Sequence, residues 1–258
     1  MLSKSLLILA IGSTALAATP KGFEPGAEST LIVSYGTVSA NGGNVLEKAA
    51  TQTAPSIGTA SKVDGTSFAV LMIDLDIPTN NPPATNTLLH WLQTGLTQST
   101  TATAINTTAG STNAFLFQKS SGQAAFAEYL GPSPPAKIPL SHRYTQILVD
   151  TSDATDDNLS VLQQAAANRQ GFNALNVLTQ AALADKVLAG NFFNVTNPGP
   201  ATSANSANSS TTGSDGSKGT GSVTAPTQTP FVPAAAVTQR ASAVLLGITM
   251  VAAVFMTL

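Results

Sequence analysis

Two carboxylates, Asp74 and Asp76, stand two residues apart at the end of the apolar run FAVLMIDLDIP. His90, one of only two histidines in the chain, follows a proline-broken loop, and the other, His142, precedes Arg143 and Tyr144. Carboxylates and imidazoles in this combination suit acid–base catalysis, metal ligation, an anion pocket, or the plain polar end of a strand. Nucleophilic catalysis lacks its parts. There is no cysteine and no G-x-S-x-G elbow, and Ser141 beside His142 is adjacent only in sequence, which does not create nucleophile–base geometry. No enzymatic activity is expected. Two histidines and a carboxylate can hold iron or zinc, but no H-E-x-x-H or similar helical spacing accompanies them. Neither a metal nor another cofactor is expected.

The elements that must position these groups are mostly strands. Residues 31–40 alternate apolar and polar before the turn signal Asn41-Gly42-Gly43, and 67–78 hold a continuous apolar run, as in a strand covered on both faces. Further strands are expected over 87–96, 124–132 and 143–150. In the last, Tyr144, Gln146 and Leu148 share one face, and Ile147 and Val149 share the other. Long loops rich in Pro, Gly, Asn and Thr separate them, which argues against a parallel doubly wound sheet. From residue 154 the pattern becomes helical, with Leu159, Leu162 and Ala166 on one stripe and Asp156 and Asp157 at the positive end. A second helix is expected from 171 to about 185, with Leu175, Leu178 and Ala182 on one stripe, then a short closing strand in GNFFNV. The fold class is mainly β: an antiparallel core with C-terminal α-helices.

The chain divides into four parts. Residues 1–17 have a basic n-region, an apolar stretch and Ala15 and Ala17 at the −3 and −1 positions, so a signal peptide and secretion are expected. Residues 18–197 form the folded domain, and 198–233 are a Ser/Thr-rich stalk expected to stay disordered and O-glycosylated. Residues 234–258 combine small residues at Ala234, a short polar spacer and a terminal apolar tail. That is the pattern of a glycosylphosphatidylinositol attachment signal, with Ala234 as candidate attachment residue. The expected location is the cell surface, anchored to the plasma membrane or cell wall. Asn106, Asn158, Asn194 and Asn208 each open an N-x-Ser/Thr triplet and are candidate glycosylation sites. The domain has eight Lys/Arg against twelve Asp/Glu, a formal charge of −4, and no basic stripe, which disfavours nucleic acid as a partner.

Asp74-Leu75-Asp76-Ile77-Pro78, then Leu89-His90-Trp91-Leu92, Gly131-Pro132 with Pro134-Pro135, and His142-Arg143-Tyr144 occur in that order. The series resembles the phosphatidylethanolamine-binding protein family, whose members show D-P-D-A-P, H-W/F-L, G-x-x-P-P and H-R-Y segments. Phe172 and VLAGNFF resemble the family's helix and closing strand. The resemblance implies a large antiparallel sheet packed on a smaller one, with C-terminal helices and a small anion pocket at one end of the sheet. It places Asp74, His90, His142 and Tyr144 around that pocket, with Gly131 and Pro132 on its rim. Asp76 and Arg143 are expected to be structural neighbours of the pocket, paired with each other or with loop amides. The implied ligand is a small anion or a phospholipid head group, and a secreted or vacuolar peptidase is the open class of protein partner. Leu75 and Ile77 depart from the family pattern, and the loop after Pro78 lacks the basic residue usual there, which bears on ligand preference. The alternative is a structural cell-surface protein in which the pocket is vestigial.

Overall fold

The computed structural model describes residues 18–199. The expected signal peptide (1–17), the anchor signal with Ala234, Asn208 and nearly all of the stalk lie outside the described residues.

Among the described residues nine strands form one antiparallel sheet: β1 (Ile32–Tyr35), β2 (Val38–Ala40), β3 (Ser56–Thr59), β4 (Phe68–Pro78), β5 (Thr85–Gln98), β6 (Thr103–Thr107), β7 (Gly110–Lys119), β8 (Ser141–Asp150) and β9 (Val187–Thr196). Their spatial order is β2-β1-β3-β7-β5-β4-β8-β9, with β6 paired to the start of β7. The two ends of this path nearly meet. Short parallel bridges join Thr30 to Gly190 and Val45 to Asn194, and the Leu31 amide donates to the Gly190 carbonyl at 2.7 Å.

The apolar run of β4 explains why the sheet needs two cores. Phe68, Val70 and Met72 point inward and pack with Val33, Tyr35, Trp91, Tyr144, Leu148 and Phe193. Leu71 and Ile73 point outward and pack with Leu89, Ile147, Val149, Leu162, Phe172 and Leu178. The outer core is closed by α1 (Asp156–Ala167) and α2 (Ala174–Gln180), which lie between β8 and β9 in sequence. Thr155 caps α1, accepting from the Asn158 amide while Asn158 Oδ1 accepts from the Thr155 amide.

Several boundaries differ from expectation. Residues 31–40 form two strands, because Gly36 takes a left-handed φ of 62° and folds the segment into a hairpin. Residues 124–132 form no strand. They touch β5 through a single bridge, Leu92 to Ala127, and otherwise run as a loop. Strands β3, β6 and β7 were not expected, since their Ser-, Thr- and Asn-rich sequences carry little apolar alternation. The second helix spans only Ala174–Gln180, its N-terminus set by Asn173 and its end followed by Ala182 at φ 55°. Its inward residues are Ala174 and Leu178, with Ala181 next, while Leu175 is exposed.

Candidate functional site

At the exit of β4 the side chains of Asp74, His90, His142 and Tyr144 meet. Asp74 is paired across the sheet with Tyr144 on β8 and with Leu88 on β5. Inward-facing positions alternate along β8, which puts His142 and Tyr144 on the same face as Asp74. His90 arrives by a different device. Met72 pairs with Trp91 but Ile73 pairs with Leu89, so His90 is the extra residue of a β-bulge. A bulge turns two consecutive side chains toward one face. That is why Trp91 can fill the inner core while His90 lies edge-on to Tyr144, ring centroids 5.1 Å apart.

All four side chains are buried, Asp74 at 1 % exposure and His142 and Tyr144 at 0 %. Asp74 uses both oxygens within the protein. Oδ2 accepts from His142 Nδ1 at 2.8 Å, and Oδ1 accepts from the Asp76 amide at 2.8 Å. Oδ2 also lies 4.0 Å from His90 Nε2. His90 Nδ1 donates to the Leu130 carbonyl at 2.7 Å, while the Leu130 amide donates back to the His90 carbonyl. Each imidazole therefore has its Nδ1 proton committed, to a carboxylate or to a carbonyl. The Nε2 atoms of both rings and the Tyr144 hydroxyl are buried and have no protein partner.

The electrostatics follow from burial. Burial holds His90 below its ordinary value, with Arg169 and His142 acting in the same sense and the Leu130 carbonyl and Asp74 opposing them. The Tyr144 hydroxyl is pushed far above the usual phenol range, by burial first and then by the Asp74 carboxylate. Tyr144 is thus a neutral donor. A neutral His90 offers the site an acceptor, and it becomes a donor only by taking a second proton on Nε2.

Asp76 has a different set of partners. Its carboxylate accepts from the Arg143 amide at 2.8 Å, from Nε at 2.8 Å and from Nη2 at 2.7 Å. Burial alone would raise this carboxyl, but the side chain, amide and charge of Arg143 together hold it below its ordinary value. The two residues are joined by one bond, from the Asp76 backbone amide to Asp74 Oδ1.

Gly131 and Pro132 lie in the loop that follows Leu130 and are fixed from outside the site. Gln52 donates to the Pro132 carbonyl at 2.9 Å, and a Cβ on Gly131 would sit 2.8 Å from Gln52 Oε1 and 3.0 Å from its Cα. Asn197, just past β9, donates to the Pro134 carbonyl at 2.8 Å. No sequence motif marks Leu130, Gln52 or Asn197. One acts through its backbone, and the other two are ordinary polar residues far from the motifs. Behind the site Gln146 donates to the Tyr35 hydroxyl at 3.2 Å.

Two cavities lie beside this cluster. One of about 500 Å³ is lined by Lys21, Phe23, Leu75, Arg143 and Phe172 among others, and one of about 250 Å³ by Asp76, Pro83, Pro139 and Arg143 among others. Neither is lined by His90, His142 or Tyr144. Ser141 bonds to Thr196 through the two hydroxyls at 2.9 Å, directed away from a pairing with His142. Among the described residues no group of three or more His, Asp or Glu side chains is arranged to hold a metal ion.

The other candidate positions are dispersed. Asn106 is exposed on β6, Asn158 sits in the α1 cap, and Asn194 lies half-buried in β9 with its amide nitrogen donating to the Gly43 carbonyl.

Residues 35–193 match the family model for phosphatidylethanolamine-binding protein. No curated protein matches the chain. Among solved structures, the chain is similar to a carboxypeptidase Y inhibitor complexed with its cognate proteinase, at 19 % identity and TM-score 0.45, over 66 % of this chain and 84 % of that one. It is similar to a phosphatidylethanolamine-binding protein from Plasmodium vivax at 21 % identity and TM-score 0.45, over 64 % and 84 %. A Plasmodium falciparum counterpart has 22 % identity and TM-score 0.43, over 68 % and 88 %.

Proposed function

The chain belongs to the phosphatidylethanolamine-binding protein family, and on that premise we propose that it is a non-enzymatic, extracellular, membrane-anchored binding protein for a phosphate-type anion or lipid head group. The observation that carries this reading is the trio of buried atoms without a hydrogen-bond partner in the protein, His90 Nε2, His142 Nε2 and Tyr144 Oη, on three side chains that meet beside Asp74. Buried polar atoms are costly when unpaired, so a cluster of three marks a place for a ligand's polar atoms. Tyr144 donates at any ordinary pH, and each imidazole adds a donor when its Nε2 takes a proton. Asp74 has both oxygens engaged within the protein, so its role is to hold His142, and the anion is met by the rings and the phenol. A peptidase is the protein partner class kept with this reading. The exposed Leu130, Ile138 and Leu140 supply apolar contact surface on the loop beside the site.

The test is titration of the full chain with inorganic phosphate and with phosphorylethanolamine, followed through the histidine ring resonances between about pH 5 and 8. Shifts confined to His90, His142 and Tyr144 are expected. No shift with either anion at any pH overturns the reading. A second reading, a structural cell-surface protein with a vestigial pocket, is favoured by one observation: the cluster is closed to solvent, and the cavities beside it are not lined by His90, His142 or Tyr144.

A further inference from the structure

Strand β6 is a free edge of the sheet. This strand pairs with β7 through the register Thr103–Ala114 to Thr107–Gly110, and its other edge meets no strand among the described residues. Open edges present unpaired N–H and C=O groups, and proteins usually guard them with charge, proline or a cover. Here the guards are missing. From Ile77 to Gln118 the sequence has no Asp, Glu, Lys or Arg, and between Pro83 and Pro132 it has no proline. The strand itself, TAINT, is neutral and rich in β-branched residues, with Ile105 buried and Thr103, Ala104 and Asn106 exposed. An identical strand from a second copy would meet no like charge, and antiparallel pairing of two β6 strands satisfies a two-fold axis.

Asn106 is the acceptor of the triplet Asn106-Thr107-Thr108 and stands on the solvent face of this strand, beside the exposed Ala104. The other described triplets are engaged. Asn194 donates its amide to Gly43 inside the sheet, and Asn158 Oδ1 closes the α1 cap. We propose that Asn106 is the N-glycosylation site of the folded domain and that its glycan covers the β6 edge, preventing two copies of the chain from pairing there. A glycan is bulky and solvated, so one attached to an edge strand excludes a second strand by volume and supplies the cover that charge supplies elsewhere. The proposal rests on the chain entering the secretory route.

The experiment expresses the full chain in a eukaryotic secretory host and follows glycan mass and self-association together. The wild type should carry a glycan removed by Asn106→Gln and equally by Thr108→Ala, which keeps Asn106 and retains the Thr108 amide bond to the Thr37 carbonyl. Both variants, and the enzymatically deglycosylated wild type, should shift from monomer to dimer in sedimentation. Adding Ala104→Lys to Asn106→Gln should restore the monomer by charging the edge. A chain glycosylated elsewhere but bare at Asn106 overturns the proposal, as does a monomeric Asn106→Gln, or a dimer indifferent to Ala104→Lys. A wild type bare at every triplet overturns the secretory premise instead, and the Ala104→Lys comparison then still reports on the edge.

Discussion

Replacing Asp76 by alanine should destabilise the domain without a change in its chemistry. The side chain accepts three bonds from Arg143, two from the guanidinium and one from the backbone amide, at 2.7–2.8 Å. Removing it leaves that amide without an acceptor, a cost of about 1–3 kcal/mol for a buried donor. It also unpairs the guanidinium. A fully buried ion pair that loses one partner costs about 3–5 kcal/mol, but the Arg143 side chain is 41 % exposed and can hydrate. The sum is therefore about 2–4 kcal/mol, below the buried limit. At about 2–4 °C per kcal/mol for a domain of this size, the melting temperature should fall by roughly 5–15 °C. Urea denaturation and a thermal melt on the full chain measure it, with Asp185→Ala as control. Asp185 is 80 % exposed and lies 3.9 Å from Lys186, so its loss should stay within about 0.5 kcal/mol. If Asp76→Ala also stayed within about 0.5 kcal/mol of wild type, the reasoning that ties this carboxylate to the strand exit would be refuted.

Four further outcomes are expected. Asp74→Asn must present its amide group to one of two donors. If its oxygen keeps the Asp76 amide, His142 has to adopt the Nε2–H tautomer, so phosphate binding by the variant should lose part of its pH dependence; an unchanged pH profile would count against the tautomer assignment. In the wild type, phosphate affinity should rise as pH falls, and because burial holds His90 below its ordinary value near 6.5, its share should appear below that value. The stability sign for His90 is the reverse: the unfolded chain takes the proton first, so stability should fall as pH drops from about 6.5 toward the folded value, and added phosphate should offset the fall in melting temperature. Gly131→Ala brings a Cβ against Gln52 and should cost about 1–3 kcal/mol. It should also raise hydrogen exchange at Leu130, and unaltered exchange would show that Gln52 does not fix this loop.

The sequence carried the strands that straddle both cores, because continuous apolar runs over 67–78 and 143–150 have few other uses. It also carried the order of the site motifs. What it hid was set by backbone geometry. The β-bulge that admits His90 is a register shift between two strands and leaves no mark in composition. The Leu130 carbonyl that fixes the His90 tautomer is a main-chain atom, and any residue could stand there. The 124–132 segment reads as a strand because AAFAEYL is largely apolar, yet its backbone meets β5 only at Ala127 and Leu130, opposite Leu92 and His90. Strands β6 and β7 went unseen because Thr and Asn serve turns and neutral edge strands alike.

The near-closure of the sheet bears on how the chain acquires its structure. Thr30, Leu31 and Val45 find their partners on β9, at Gly190 and Asn194, so the earliest strand region is sealed by the last. Contacts between such distant parts of a chain make folding slow, since the long loop must close before any pairing rewards it. A chain growing from its N-terminus therefore cannot complete the inner core until residue 196 has emerged. Until then Tyr35 lacks the ring of Phe193 that packs edge-on against it. Incomplete chains of this kind are the aggregation-prone species in folding. A truncation that removes β9 should yield a product recovered only with chaperones, however intact the residues around His90 remain.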